Sequence, residues 1–310
     1  MKYLVTGVLG FIGSRLAQNL LLSGKDVIGV DSCDNLLYSE QIKYRRLDSL
    51  SQNRNFEFVK LDLVKDEFDY LLKEVHVIIN EAGLPGQLLS WEHTAEYFDA
   101  NFFIVDRIIK AIAKADHQIR LVQASTSSVY GSNACGNEDQ ATNPCSPYGI
   151  SKLAAENLIR ASDRMNNFSF TILRYFSVYG PSQRPDMAFS KFFHNLAAGE
   201  PITIYGDGTQ IRDCTFVDDI VSGTILAAEH PIQNMTYNLS SGISTSLLGI
   251  IDICFEVSGL KVPLIFEPRS KGDQERTSGN CSKALEYLGY QAKVGLGKGL
   301  KLQWDSFRTN

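Results

Sequence analysis

The segment Thr6-Gly7-Val8-Leu9-Gly10-Phe11-Ile12-Gly13 constrains this chain more than any other stretch. It lies between Lys2–Thr6, which reads as a strand, and Phe11–Ser23, an amphipathic run that reads as a helix with Gly24 as its stop. Gly7 allows a tight turn, Gly10 lets backbone approach a pyrophosphate, and Gly13 lets helix and strand pack closely. The helix start then turns its free N–H groups toward an anion. The spacing is G-x-x-G-x-x-G, and a glycine pattern alone carries little weight. The strand before it and the helix after it supply the context that gives it meaning.

The same alternation continues downstream. Val27–Asp31, Phe56–Asp62, Val75–Asn80, Leu121–Ser125 and Phe168–Tyr175 read as strands with helices between them. That pattern predicts an α/β fold with a parallel, doubly wound sheet of the Rossmann type. After about Tyr179 the rhythm changes: helical Ser190–Ala198 and Val217–Glu229 mix with short strands Ile202–Tyr205 and Met235–Leu239. We expect a smaller, mixed α/β C-terminal lobe against the sheet's edge, with a cleft between. Residues 1–178 form the expected dinucleotide-binding domain, with some chain returning from the C-terminal half, and residues 179–310 the substrate lobe.

Charge and cysteine usage narrow the ligand class. The net charge of −5 leaves no basic footprint for nucleic acid. A phosphate-bearing ligand must then be held by a few placed cations and backbone N–H groups. No apolar run approaches a membrane span, and MKYLVTG has no signal-peptide layout, so a cytoplasmic protein without a membrane partner is expected. The six cysteines form no C-x-x-C pair and the five histidines show no ligand spacing. Free thiols and no metal site are expected.

Asp31 ends the second strand, where a carboxylate suits the ribose 2′-OH of NAD and repels a 2′-phosphate. NAD is therefore favoured over NADP. Asp62-Leu63, after the third strand, is placed either beside the adenine or as a loop cap. Tyr148-Gly149-Ile150-Ser151-Lys152 sets Tyr and Lys one helical turn apart, with Ser146 as a candidate N-cap and Pro147 near the helix start. An ammonium beside the phenol, with oxidised nicotinamide nearby, lowers its pKa from about 10 toward neutrality and makes it a general base. The plain alternative is a buried Tyr with Lys outside. Upstream, Ser125-Thr126-Ser127-Ser128-Val129-Tyr130-Gly131 puts hydroxyls at a strand's C-terminal end, where such sheets bind ligands. A polar turn is the alternative there.

Taken together, these segments resemble the extended short-chain dehydrogenase/reductases that act as nucleotide-sugar epimerases and dehydratases. Leu173-Arg-Tyr-Phe-Ser-Val-Tyr-Gly-Pro181, Ile204-Tyr-Gly-Asp-Gly-Thr-Gln-Ile-Arg-Asp213 and Phe216-Val-Asp-Asp219 extend the match nearly end to end. Ser125–Gly131 and Gly180-Pro-Ser-Gln-Arg-Pro-Asp-Met-Ala-Phe189 are most similar to UDP-glucuronate 4-epimerases. The resemblance implies NAD held by Gly7, Gly10, Phe11, Ile12, Gly13, Asp31, Asp62, Leu63 and Lys152. It implies Tyr148 as the base for the sugar 4-OH, Lys152 lowering its pKa and Thr126 bridging the two hydroxyls. The C4 hydride passes to NAD, the 4-keto ring turns over, and the hydride returns to the other face. Ser127, Ser128, Ser177, Arg184, Arg212 and Arg269 are the implied substrate contacts. For Arg184 and Arg212 the alternative is a surface ion pair, and for Ser177 a turn cap.

Residues 127 and 128 separate reaction types within the resemblance. Similar 4,6-dehydratases carry Asp-Glu there, and similar decarboxylases a Glu at the second position. Two serines leave no acid for a departing hydroxyl, which favours epimerisation over dehydration or decarboxylation; a reductase on the same scaffold is the further alternative. A non-catalytic NAD sensor typically loses the Tyr or the Lys, and both are present. UDP-glucuronate is the first-choice substrate, then UDP-glucose or UDP-N-acetylglucosamine. A homodimer is implied through helices around Asn101–Ala113 and Ile150–Ala161, with core packing against the sheet as the alternative reading of their apolar faces. The chain departs from the pattern at Asn80-Glu81-Ala82-Gly83, at Leu88 in place of an arginine, at Ser270 and at Gly279-Asn280-Cys281.

Overall fold

The computed structural model describes every residue but 35, 167, 232, 233, 270 to 273 and 310. β1 (Lys2–Thr6) leads through α1 (Phe11–Leu22), β2 (Asp26–Asp31) and α2 (Glu40–Leu50) to β3 (Phe56–Lys60). β4 (Val77–Asn80) is followed by α3 (Thr94–Phe98), a π turn (Asp99–Phe103) and α4 (Ile104–Lys114). Then come β5 (Arg120–Thr126), a short β6 (Asn133–Ala134), α5 (Pro147–Asn166) and β7 (Ser169–Tyr175). The remaining chain carries β8 (Ser177–Tyr179), α6 (Ala188–Ala198), β9 (Ile202–Tyr205), β10 (Ile211–Phe216), α7 (Val217–Glu229) and β11 (Met235–Leu239). It ends with β12 (Ser244–Ser246), α8 (Leu247–Ser258), β13 (Leu264–Glu267), β14 (Arg276–Thr277), α9 (Ser282–Leu288) and α10 (Leu296–Thr309).

The central sheet is parallel throughout, in the order β11-β7-β5-β4-β1-β2-β3. The chain winds outward from β1 to β3 and then crosses to β4, so the strand order reverses between β1 and β4. Ligands of such sheets sit at the carboxyl ends of the strands at that reversal. Alternate strand residues feed opposite faces. Val5, Ile79, Val122 and Leu173 pack with Leu16 and Leu20 of α1 and Ile220 and Val221 of α7. Leu4, Ile78, Leu121 and Ile172 pack with Ile108 and Ile112 of α4 and Ala155 and Ile159 of α5. Both faces are therefore covered, which explains why these strands are apolar rather than alternating. A third cluster, with Phe193 of α6, Ile250 and Cys254 of α8 and Trp304 of α10, forms the core of the smaller lobe.

Two elements differ from the reading of the sequence. Met235–Leu239, expected among the short strands after Tyr179, is the edge strand of the central sheet, with Met235 opposite Thr171 and Leu239 opposite Tyr175. Tyr237 and Leu239 are fully buried there, against the face that α7 covers. The helix expected from Asn101 begins as the π turn and becomes α-helical at Ile104. The six cysteines form no disulfide. Among the described residues, no helix is long and apolar enough to cross a membrane, and no group of His, Cys, Asp or Glu is placed to hold a metal.

Candidate active site

A cavity of about 980 Å³ opens along the carboxyl ends of the strands. It is lined at one end by Asp31, Asp62 and Leu63, in the middle by Gly7, Gly10, Phe11, Ile12 and Gly13, and at the other end by Thr126, Ser127, Ser128, Tyr148 and Lys152. Ser177, Arg184 and Arg212 line it from the smaller lobe.

The glycine loop is shaped for a close approach. A Cβ on Gly13 would meet the Gly7 carbonyl oxygen at 2.3 Å, so α1 starts directly against the turn. No side chain caps the N-terminus of α1, and its first-turn residues Phe11, Ile12 and Gly13 face the cavity. Uncapped N–H groups at a helix start fit a pyrophosphate. Asp31 is buried and oriented by three donors: Leu9 N–H at 3.1 Å, Cys33 N–H at 2.9 Å and Lys43 Nζ at 3.1 Å. Sequence reasoning missed Lys43, which the first turns of α2 bring back from twelve residues downstream. Asp62 takes the loop-cap role, accepting from Val64 N–H at 2.9 Å and from Lys65 at 2.8 Å, and also borders the cavity.

At the other end, α5 is fixed against the hydroxyl strand. Ser146 Oγ accepts from Gly149 N–H at 3.2 Å, so Ser146 caps the helix and Pro147 takes its first position. Gly149 is where the helix meets the Ser127–Tyr130 turn: a Cβ there would stand 2.7 Å from the Ser128 carbonyl oxygen. Two helical turns further on, buried Glu156 accepts from Ser125 Oγ at 2.6 Å and from Arg174 at 2.7 Å. This buried ion pair sets the register of α5 against β5 and β7. Tyr148 and Lys152 thereby face Thr126, whose Oγ1 accepts from Ser128 N–H at 3.1 Å and is hydrogen-bonded to the Tyr148 hydroxyl.

The electrostatics differ from expectation at Tyr148. Burial pushes its hydroxyl up; the Thr126 hydrogen bond and the Arg184 charge pull it down without reversing the shift. The expected lowering by Lys152 is not made by these side chains. Lys152 Nζ donates to the Ala124 carbonyl at 3.1 Å, and burial lowers its pKa to about 8 against the charges of Glu81 and Glu156. Glu81, a departure without a role in the sequence, also lines this end. It accepts from the Tyr175 hydroxyl at 2.7 Å, and burial raises its pKa to about 7 against that hydrogen bond and Lys152. The neighbouring departure, Asn80, is fully buried and joins Thr6 to Gln123, to which it donates at 2.8 Å.

The substrate contacts are only partly assembled. Arg184 makes a two-pronged pair with Asp186 at 2.9 and 2.7 Å and still lines the cavity. Arg212 donates to the Ile211 carbonyl at 3.0 Å from β10. Arg269 is not among the residues lining the cavity; its guanidinium is 3.3 Å from Glu275 on an exposed stretch. Ser270 and the segment to Asp273 lie outside the described residues. Leu88 is half exposed at the rim. Two glutamines were missed. Gln87 Nε2 donates to Ser128 Oγ at 3.3 Å, and Gln274 Nε2 donates to the Gly131 carbonyl at 2.8 Å. The Oε1 atom of Gln87 is buried without a partner.

Known proteins share this architecture along the whole chain. An uncharacterised UDP-glucose epimerase of Bacillus subtilis is 37% identical over 97% of this chain and 96% of its own. A UDP-glucuronate 4-epimerase of Thermodesulfobacterium geofontis is 35% identical over 96% of this chain and 94% of its own. The crystal structure of UDP-glucuronic acid 4-epimerase from Bacillus cereus, in complex with UDP-glucuronic acid and NAD, superposes with a TM-score of 0.95 at 35% identity, covering 100% of this chain and 99% of that one. The family model described as "NAD dependent epimerase/dehydratase family" matches residues 3–240. With its glycine loop, hydroxyl strand and Tyr148–Lys152 pair on one cavity, the chain belongs to the NAD-dependent epimerase/dehydratase family.

Proposed function

We propose that this protein is an NAD-dependent UDP-sugar 4-epimerase, with UDP-glucuronate as its first substrate and UDP-glucose or UDP-N-acetylglucosamine next. The observation that carries the reading is the joining of Thr126, Tyr148 and Lys152 to the glycine loop in one cavity. When bound, NAD supplies a hydride acceptor and a positively charged ring. Tyr148 Oη takes the proton of the sugar 4-OH, with Thr126 Oγ1 holding the two hydroxyls in line, and returns it after the 4-keto ring has turned over. Lys152 would hold the cofactor's nicotinamide ribose, and together with the bound cationic ring its ammonium would favour the phenolate of Tyr148. Asp31 holds the adenosine ribose, and Asp62 and Leu63 border the adenine.

Ser127 and Ser128 donate to the sugar's C5 substituent, and neither offers the acid that dehydration needs. Ser177 borders the sugar. Arg184 and Arg212 supply guanidinium forks for the carboxylate and the diphosphate. Residues 1–178, with the returning β11 and α7, form the cofactor unit, and residues 179–310 contribute the sugar-nucleotide side. The enzyme is a cytoplasmic homodimer paired through the π turn with α4 and through α5, where Phe103 of the turn and Ile150 of α5 are 47% and 46% exposed.

Proton NMR of the purified protein with each of the three UDP-sugars tests the function. Inversion at C4, fastest with UDP-glucuronate, is the expected result. No inversion with any of the three overturns it. Sedimentation of the same sample at twice the monomer mass supports the pairing, and a monomer overturns that part alone.

A further inference from the structure

Glu81 is a half-buried carboxyl that the reaction above does not use. It follows β4 at the strand reversal, and its main chain abuts the glycine loop: a Cβ on Gly7 would lie 2.9 Å from the Glu81 carbonyl carbon. Its side chain turns to the reaction end. There the Tyr175 hydroxyl of β7 donates to it at 2.7 Å, and the charged and titratable groups facing it from α5 are Lys152 and Tyr148. No titratable group faces it from α7, which offers Thr224 Oγ1 to Tyr175 at 2.8 Å.

That relay serves Glu81 in both charge states. As an anion, Glu81 accepts from Tyr175, whose hydroxyl is kept protonated by burial and by the Glu81 charge. As a neutral acid, it donates to Tyr175, which donates to Thr224, which donates to the Ile220 carbonyl at 2.8 Å. Every hydroxyl keeps a partner either way, so neither state is penalised by an orphaned polar group.

Four of the other acids lining the cavity are paired with a basic side chain. Asp31 and Asp62 pair with lysines at the opposite end, Asp186 pairs with Arg184, and Glu96 pairs with His93 at 3.2 Å. The hydride acceptor must work beside Tyr148, so the nicotinamide belongs to the Glu81 end of the cavity. Oxidised nicotinamide is a cation and its reduced form is neutral. A carboxylate in a poorly solvated site discriminates between them.

We infer that Glu81, oriented by Tyr175 and Thr224, is a positioning residue that biases the resident cofactor toward its oxidised form. This rests on the proposed function, since the bias matters for an enzyme that must start each turnover with NAD⁺ and recover it. As Glu81 is protonated, the negative charge disappears and the preference for NAD⁺ falls.

The test is competition of NAD⁺ against NADH for the purified holoenzyme, with the bound ratio read after gel filtration by dihydronicotinamide absorbance. At about pH 8.5 the preference for NAD⁺ falls about tenfold in Glu81→Gln, and the two proteins converge at about pH 5.5. Should Glu81→Gln not fold, Tyr175→Phe removes the donor that favours the anion and shifts the ratio the same way by about threefold. An unchanged ratio in the variants that fold overturns the inference. Turnover with an unchanged ratio defeats only this inference, whereas a shifted ratio without C4 inversion defeats only the proposed function.

Discussion

The two ends of the cavity use ionisable groups in opposite ways. At the adenosine end, charges are paired off: Asp31 with Lys43 at 3.1 Å and Asp62 with Lys65 at 2.8 Å. At the reaction end, burial dominates. Tyr148 is raised, Lys152 falls to about 8 and Glu81 rises to about 7. Paired charges fix a ligand's orientation and change little with pH. Lys152 and Glu81, displaced toward neutrality, hold protons that are ready to move there. The comparison assigns binding to one end and chemistry to the other.

Tyr148→Phe breaks the comparison hardest. It removes the proton acceptor and leaves the adenosine end untouched, so turnover falls about 10³-fold with NAD affinity unchanged. Rate assays beside a binding isotherm check both halves. Glu156→Gln acts two turns further along α5, leaving buried Arg174 without its anion. Denaturant unfolding reads an expected loss of about 3 kcal/mol. Asp31→Asn is the mirror experiment: NAD affinity falls about tenfold, while turnover at saturating NAD stays within about twofold.

The smallest effect is the pH dependence of stability. Glu81 has a folded pKa near 7, above its unfolded value of 4.5, so the native state holds the extra proton between them. Stability from this group is full below about pH 4.5 and is lost as pH rises toward 7. Between about pH 5.5 and pH 8, wild type should lose about 3 °C of melting temperature relative to Glu81→Gln. Parallel melting curves would remove Glu81 from the account.

What was legible in the sequence was local. The glycine loop, the Ser146 cap and the four-residue step from Tyr148 to Lys152 are set by chain spacing, so they could be placed before the fold was known. What was not legible depends on distant packing. Lys43 reaches Asp31 through a loop and a helix. Glu81 meets Tyr175, itself bonded to Thr224, only after three strands and α7 have assembled. The Tyr148 shift follows from a burial that no motif reports. Met235–Leu239 joined the central sheet because Tyr237 and Leu239 bury fully beside β7, a choice its short apolar run does not announce. Arg269 kept the right residue type in a recognisable segment and still faces Glu275.

The central claim is that hydride leaves C4 and returns to C4 through a cofactor that stays in place. The most direct measurement follows a UDP-sugar labelled with deuterium at C4, incubated with the purified protein, by NMR and mass spectrometry. Deuterium retained at C4 in both epimers, with product mass unchanged and no accumulation of NADH, is the predicted result. Deuterium recovered in free NADH, or product lighter by water or carbon dioxide, would contradict it.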